Sequence, residues 1–358
     1  MNILVLSRYS RMGASSRVRM VQYMETDYFG DVHFEFSPLL GDDYLRMLYA
    51  RQPMSPLILL RAYAKRFAAL WNAHRFDLLW IEKELFPNLP SFFEYLLARL
   101  GIPYIVDYDD AIFHNYDQSA NPVKRLLRNK IASVMRNAAL VVPGNTYLAS
   151  YARRAGARRI EMVPTVVDAR RYVPIGGDDH NHLVIGWIGS PTSAKFLEPI
   201  LPVIARLSAE VPIELVVIGA RLAGVRHPFV HYKDWSEATE VAEIGTFDVG
   251  IMPLSDDRWE RGKCGYKLIQ YMACGKAVIA SPVGMNTEIV FEGVNGFLAA
   301  TDVDWFSALS LLAHSPRMRQ VMGECGRAMI EQKYCVQVTG PRLSAMMRRI
   351  ANESAATR

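Results

Sequence analysis

What most constrains this chain is an alternation of short apolar strand-like runs with longer helix-like segments, played through twice. In the first half, Asn2–Ser7 reads as a strand and Ser15–Glu25, after a Gly/Ser turn, as a helix. Phe76–Ile81 and Pro103–Asp107 read as strands on either side of a helix at Ser91–Leu100, which Gly101 stops. A helical stretch over 122–138, a strand at Ala139–Val142 and a helix at Thr146–Ala155 follow. Strands this short and this apolar are buried on both faces, as in a parallel sheet covered by helices.

Residues 168–182, rich in Gly, Asp and flanking Pro, read as a linker. A second series then opens with strands at Leu183–Trp187, Ile213–Ile218, Phe247–Met252 and Ala277–Ser281. Helices are expected near 194–210, 265–274, 303–313, 316–332 and 341–350. No fixed-period repeat is present, which favours a two-domain enzyme over a solenoid. The expected organisation is an N-terminal Rossmann-like domain over 1–175 and a second over 176–340. A terminal helix and tail at 341–358 would pack back on the first. A chain of 358 residues is too long to favour a single core.

Composition narrows the class. Half the residues are apolar and 22% are charged, which argues for folded domains over disorder. The cysteines, Cys264, Cys274, Cys325 and Cys335, form neither a metal-ligand cluster nor a secreted-type disulfide framework. The apolar run Ile3–Leu6 has no basic segment before it and arginines soon after, so neither a signal peptide nor a membrane span is expected. A cytoplasmic location follows as the expectation. The net charge of +5 is concentrated in residues 1–175, where 23 Lys/Arg face 16 Asp/Glu, a balance of +7. That excess either attracts an anionic partner or simply solubilises the domain.

The run from Gly262 to Gly284 carries the most chemistry: a glycine turn, a helix ending near Gly275, then a β-branched strand. Free N–H groups at the helix start, beside Gly265, suit phosphate oxygens, and Lys263 and Lys267 suit their charge. A structural turn with two surface lysines is the plain alternative. Residues 186–195 repeat the idea: a strand reaching Gly189, then Ser190, Thr192 and Ser193, and Lys195 as a second cation or an exposed helix-face lysine. In the first half, the loop Arg11–Arg19 holds Gly13, Ser15, Ser16 and Arg17 without completing a dinucleotide fingerprint. Val106–His114 gathers Asp107, Asp109, Asp110 and His114, read either as an acceptor-side loop or as capped, solvent-facing aspartates. Glu82 and Glu84 around Lys83 read, from the residues alone, as alternating surface charge. A metal site is weakly supported with one imidazole in reach.

The 262–284 run resembles the donor-binding segment of the group-4 glycosyltransferases of GT-B fold. The Met252-Pro253-Leu254 turn, residues 284–290 and Asn295-Gly296-Phe297 fit the same family. The resemblance implies an α/β fold of two Rossmann-like domains facing across a cleft, with donor and acceptor meeting there. It implies a nucleotide diphosphate sugar as donor co-substrate, no tightly bound cofactor, no required divalent metal, and transfer with retention. Lys195 and Lys267 would stabilise the leaving diphosphate, and Asp110 and His114 would serve the acceptor. Gly13, Arg17, Gly189, Ser190, Lys263, Gly265, Gln270 and Glu288 would line the nucleotide-sugar site. The family's two glutamates, eight residues apart, fall on Gly262 and Gln270, so this chain departs from the pattern at both. Gln270 keeps an amide able to hydrogen-bond a ribose but has no carboxylate.

The expected activity is hexosyl transfer to a hydroxyl of a glycan or lipid-linked saccharide in cell-surface polysaccharide biosynthesis. Two alternatives stand beside it: a nucleotide-sugar 2-epimerase, and a catalytically silent scaffold of the same fold. Basic, apolar segments at 57–76 and 122–137 suit an anionic membrane surface on the inner face of the cell membrane. No nucleic-acid reader module is recognisable.

Overall fold

Eleven strands form two wholly parallel sheets in the computed structural model, which describes all residues except 51, 54, 175–180, 226 and 358. The first sheet contains β1 (Asn2–Leu6), β2 (His33–Phe36), β3 (Leu78–Glu82), β4 (Tyr104–Tyr108) and β5 (Leu140–Pro143), in the order β2-β1-β3-β4-β5. The second contains β6 (Leu183–Ile188), β7 (Ile213–Ile218), β8 (Val230–Lys233), β9 (Val249–Met252), β10 (Ala277–Ala280) and β11 (Gly296–Leu298), in the order β11-β10-β9-β6-β7-β8. Strand order reverses between β1 and β3 in one sheet and between β6 and β9 in the other. Ligands of open α/β sheets collect at the carboxyl ends of the strands beside such points.

The chain separates into two compact units. The first is Met1–Thr165 with Gly262–Cys264 and Thr339–Arg358; the second is Val166–Arg261 with Gly265–Val338. In the second unit the period-two rule divides the inner strands between two apolar layers. Leu183, Ile185, Trp187, Leu215 and Val217 enter one layer, with Leu197, Ile204, Trp305 and Leu309 packed on them. Val184, Ile188, Val216 and Ile218 enter the other, with Leu268, Ile269, Met272 and Ile330. Fully burying side chains of this size contributes about 1.5–3 kcal/mol each, so both faces of the sheet are committed to core.

Several expected elements differ in detail. The 194–210 helix is two 3-10 turns, Ala194–Phe196 and Glu198–Ile200, followed by an α-helix at Leu201–Ser208. Pro199 and Pro202 lack the N–H groups that a continuous helix would need. The 122–138 segment is likewise two helices, Pro122–Arg125 and Lys130–Asn137. The final helix runs over Val336–Thr357, longer than 341–350, with Pro341 inside it. Of the 168–182 linker, residues 175–180 lie outside the described residues; Val167 to Pro174 are fastened within the second unit. There Arg327 donates to the carbonyls of Ala169 (3.0 Å), Tyr172 and Ala273 (2.6 Å).

Candidate functional site

The carboxyl ends of β6 and β7 are built without side-chain bulk. Gly189 follows β6, and a Cβ there would lie 2.5 Å from the Trp187 ring and 2.9 Å from Cε of Lys267. Gly219 follows β7 at φ 81°, and a Cβ there would meet the carbonyl oxygen of Gly189 at 2.7 Å and Cβ of Trp235 at 3.0 Å. The Nζ of Lys267 sits 5.2 Å from the centre of the Trp187 ring, within cation–π range. Gly189, Gly219, Trp187, Trp235 and Lys267 therefore converge beside the β6/β9 reversal. Gly219 and Trp235 were not picked out from sequence; the signal was a glycine ending a buried strand at Ile218.

Ser190 continues this rim, its hydroxyl 2.8 Å from that of Thr192 and 3.4 Å from that of Ser193. Lys195 is exposed on the following 3-10 turn, its ammonium 4.9 Å from the Phe196 ring. Gly265 caps the helix Tyr266–Ala273 at φ 66° and ψ 21°, a left-handed conformation that glycine adopts without Cβ strain. Ile289 packs against this glycine, so the four-residue helix Asn286–Ile289, which carries half-buried Glu288, adjoins the start of Tyr266–Ala273.

The two positions that depart from the family glutamates have separate physical explanations. At Gly262 a Cβ would lie 2.5 Å from Cβ of Ala111 and 2.8 Å from its backbone nitrogen. No side chain fits there. Asn145 also holds this segment, donating from Nδ2 to the carbonyls of Gly262 (2.8 Å) and Lys263 (3.1 Å). Gly262, Lys263 and Cys264 thus belong to the first unit, whereas Gly265 and Lys267 belong to the second. Burial pushes the Cys264 thiol up to about 12, far from thiolate reactivity.

Gln270 is buried and its Nε2 donates to the Tyr172 hydroxyl at 3.0 Å, with an Oε of Glu240 at 3.5 Å. Glu240, itself buried, also accepts from the Tyr172 hydroxyl (2.7 Å), Arg171 (2.8 Å) and the Trp235 indole (2.9 Å). The carboxylate missing at position 270 is therefore present beside it, supplied by another helix. Trp235 connects this network to the rim at Gly219.

In the first unit, the ends of β1, β3 and β4 gather buried charge. Glu82 accepts from the backbone N–H of Arg8 (2.7 Å) and the Ser16 hydroxyl (2.6 Å), closing the loop after β1. Its other oxygen is buried without a hydrogen bond, and burial raises its pKa above the ordinary glutamate value. Lys83 pairs with Asp109 (2.8 Å) and Asp110 (3.3 Å) and donates to Ser15 (3.3 Å). Burial works against the Lys83 charge, but Asp109, Asp110 and Glu82 outweigh it and raise its pKa. Glu84 pairs with Lys130 and accepts from Tyr116 (2.7 Å). The Glu82-Lys83-Glu84 run is thus interior, because it sits where β3 leaves the sheet; it is not alternating surface charge.

Asp107 is buried in a two-pronged pair with Arg19, at 2.7 and 3.1 Å, and Arg19 also donates to the Val163 carbonyl at 2.7 Å. Of the aspartates expected to face solvent, Asp110 is the most open, with 28% of its side chain accessible. His114 is held on both nitrogens: Nδ1 meets Asp117 at 2.8 Å and Nε2 meets the Tyr147 hydroxyl at 2.9 Å. These contacts fix the orientation of the imidazole ring, with a carboxylate on Nδ1 and a hydroxyl on Nε2. Gly13 is buried where a Cβ would strike Tyr9 at 2.5 Å, and Arg17 is buried with its guanidinium 3.3 Å from the Arg11 carbonyl. Among the described residues no group of His, Cys, Asp and Glu is arranged to hold a metal ion.

Residues 182–314 match the family model described as glycosyl transferases group 1, and residues 26–165 match the glycosyl transferase 4-like domain. No curated protein sequence matches the chain. Among solved structures, Anabaena HepE in complex with UDP is similar at TM-score 0.70 and 16% identity, over 98% of this chain and 100% of that one. Sucrose-phosphate synthase from Thermosynechococcus elongatus is similar at TM-score 0.72 and 13% identity, over 98% and 99%. The α,α-trehalose 6-phosphate synthase from Burkholderia multivorans is similar at 0.65 and 13%, over 99% and 98%.

Proposed function

Because this chain belongs to the glycosyltransferases with group 1 and group 4-like domains on a GT-B fold, we propose that it transfers a hexosyl group from a nucleotide diphosphate sugar. The acceptor is a hydroxyl of a glycan or lipid-linked saccharide, made for cell-surface polysaccharide at the inner face of the membrane. The observation that carries the reading is the convergence of Gly189, Gly219, Trp235 and Lys267 at the ends of the second sheet. The glycines let Trp187, Trp235 and Lys267 close on the strand ends, and the Lys267 ammonium at that rim would answer a diphosphate's charge. The UDP and UDP-glucose held by HepE support a donor of this class.

In this reading the second unit holds the donor and the first unit the acceptor. Lys195 and Lys267, with the N–H groups of the Tyr266–Ala273 helix, stabilise charge on the departing diphosphate without a resident metal. The bond from the sugar anomeric carbon to the phosphate oxygen breaks as the bond to the acceptor oxygen forms on the same face. The acceptor proton passes to the leaving phosphate, and the same-face attack retains the configuration. Asp110 orients the acceptor hydroxyl, and Glu288 and Ser190 contact the sugar nucleotide. Gln270, through Tyr172 and Glu240, gives the ribose a carboxylate-backed partner.

The test is transfer of labelled sugar from a nucleotide-sugar panel to native lipid and glycan extracts, with the anomeric configuration of the product read directly. Replacing both Lys195 and Lys267 with Ala is expected to lower kcat by about a hundredfold or more, as for loss of transition-state charge stabilisation. An unchanged rate in that variant removes the proposed role. Free-sugar epimers without acceptor glycosylation would identify a 2-epimerase instead. The silent-scaffold reading draws on Gly262, where Ala111 leaves no space for a carboxylate; acceptor-dependent turnover rejects it.

A further inference from the structure

Helix Pro56–Trp71 is amphipathic in an inverted sense. It starts cleanly, with Ser55 accepting from the Leu57 N–H and Pro56 in the first turn. Its inward face carries Arg66, only 1% exposed, which donates to the carbonyls of Ser7 and Ser37. Burial pulls that guanidinium down to about 10. The outward face carries Leu57 (58% exposed), Leu60 (65%), Phe67 (48%) and Trp71 (76%), with exposed Ala64 between them. Positions 57, 60, 64, 67 and 71 share one side of a helix, the spacing that elsewhere marks a core-facing stripe. Here the stripe faces solvent.

The apolar surface continues beyond the helix. Phe93 contacts both Phe67 (5.9 Å between ring centres) and exposed Phe92 (5.5 Å), so the neighbouring helix Phe92–Arg99 extends it. Phe86 lies under the same side, against Tyr63 (5.5 Å) and Phe93 (4.8 Å). Single exposed apolar residues are ordinary on a protein surface, but a contiguous stripe of this size marks something that covers it.

Charge decides what that something is. The helix PLILLRAYAKRFAALW contains no Asp or Glu, and Arg61 and Lys65 stand exposed one turn apart beside the stripe. A second copy of the helix would meet the same cations with no acid to answer them. An anionic lipid surface answers them directly, with the long stems lying along the apolar boundary and the heads at phosphate depth. The Trp71 indole suits the same boundary layer. No helix among the described residues is long and apolar enough to cross a membrane, so the face would lie on the bilayer and not span it.

We propose that the outward face of Pro56–Trp71, extended by Phe92, docks the protein on an anionic phospholipid surface. This deepens the membrane-side acceptor reading above and is tested without measuring transfer. The full chain is floated with vesicles of phosphatidylcholine alone, or with about one third phosphatidylglycerol. Binding is expected to the anionic vesicles only, weakening with salt. Arg61→Glu with Lys65→Glu is expected to lower partitioning at least about tenfold, since each cation near such a surface contributes about fivefold. Leu60→Ser with Trp71→Ser is expected to lower it about tenfold through lost apolar contact. Both pairs should leave the melting temperature unchanged, because these side chains are already exposed.

Absence of flotation with anionic vesicles overturns the proposal, as does equal flotation of every variant or equal binding to neutral vesicles. Conversion of a dimer to a monomer by the stripe substitutions, seen by light scattering without a change in flotation, assigns the face to a second copy. Nucleotide-sugar binding by the unmodified protein in solution is read separately, so failure of the transferase reading has its own signature.

Discussion

Lys83 shows how much of the first unit's chemistry depends on single residues. Its φ of 66° is uncommon for a residue with a side chain, and the backbone holds it because its ammonium is met by Asp109, Asp110 and Glu82. Burial disfavours the Asp109 charge, but Lys83 outweighs it and holds that carboxyl below its usual value. A depressed carboxyl contributes stability that is present above its unfolded pKa and lost as pH falls through the folded one. Asp109→Asn should therefore cost about 3 kcal/mol at neutral pH, from a buried lysine losing its nearest partner. In urea unfolding, the gap to the unmodified protein should narrow as the solution is made acidic; a gap independent of pH would contradict the pairing. Gln270→Glu is expected to behave in the opposite sense. It restores the family carboxylate beside buried Glu240, so the new group's pKa rises and the variant loses stability as pH increases through the carboxylate range. Melting temperatures at acidic and alkaline pH would separate that from a uniform loss. Neither environment was legible in sequence. Glu82-Lys83-Glu84 has the pattern of surface charge, and only the parallel pairing of β3 with β1 and β4 reveals it as interior.

Elements were legible where burial wrote itself into composition. β1, β3, β6, β7, β9 and β10 are apolar runs in the sequence because they lie inside their sheets, covered on both faces. The three strands that sequence reading passed over, β2 (HFEF), β8 (VHYK) and β11 (GFL), are all sheet edges, short and mixed in character. An edge strand has one neighbour and needs less apolar surface, so its signal is weak. Helix Asp42–Tyr49 was missed for a related reason, since Leu45 is its only buried side chain among those described. Helix Pro316–Lys333 ends one residue beyond its expected 316–332 bounds, with Pro316 in its first turn. It crosses the turn after Tyr266–Ala273 so closely that a Cβ on Gly323 would lie 1.9 Å from the Gly275 carbonyl oxygen. Gly323→Ala gains helix propensity but must push the helix off that turn. The expected net loss is about 1–3 kcal/mol, measured by urea unfolding, with a gain in stability as the result that would sink the packing argument.

At the scale of the whole molecule, the chain does not give each unit one continuous segment. Residues 339–358 lie far from Met1–Thr165 in sequence yet belong to the same unit. The final helix buries Leu343, Met347 and Ile350 there. Thr339 shares a 2.8 Å hydrogen bond with the Tyr23 hydroxyl, Arg348 donates to the Phe29 carbonyl at 2.7 Å, and Arg159 pairs with Glu353 at 2.9 Å. The polar contacts near the surface are worth little individually, but the three apolar side chains are worth roughly 1.5–3 kcal/mol each. Their sum approaches the whole stability of an ordinary domain, about 5–15 kcal/mol. A chain ending at Val338 should therefore leave the first unit largely unfolded while the second, which keeps all of its own residues, stays folded. Hydrogen exchange resolves the two: amides of β1, β3 and β4 would lose protection, and those of β6, β7 and β9 would keep it. Full protection of β1, β3 and β4 in the shortened chain would show that the terminal helix decorates the first unit and does not complete its core.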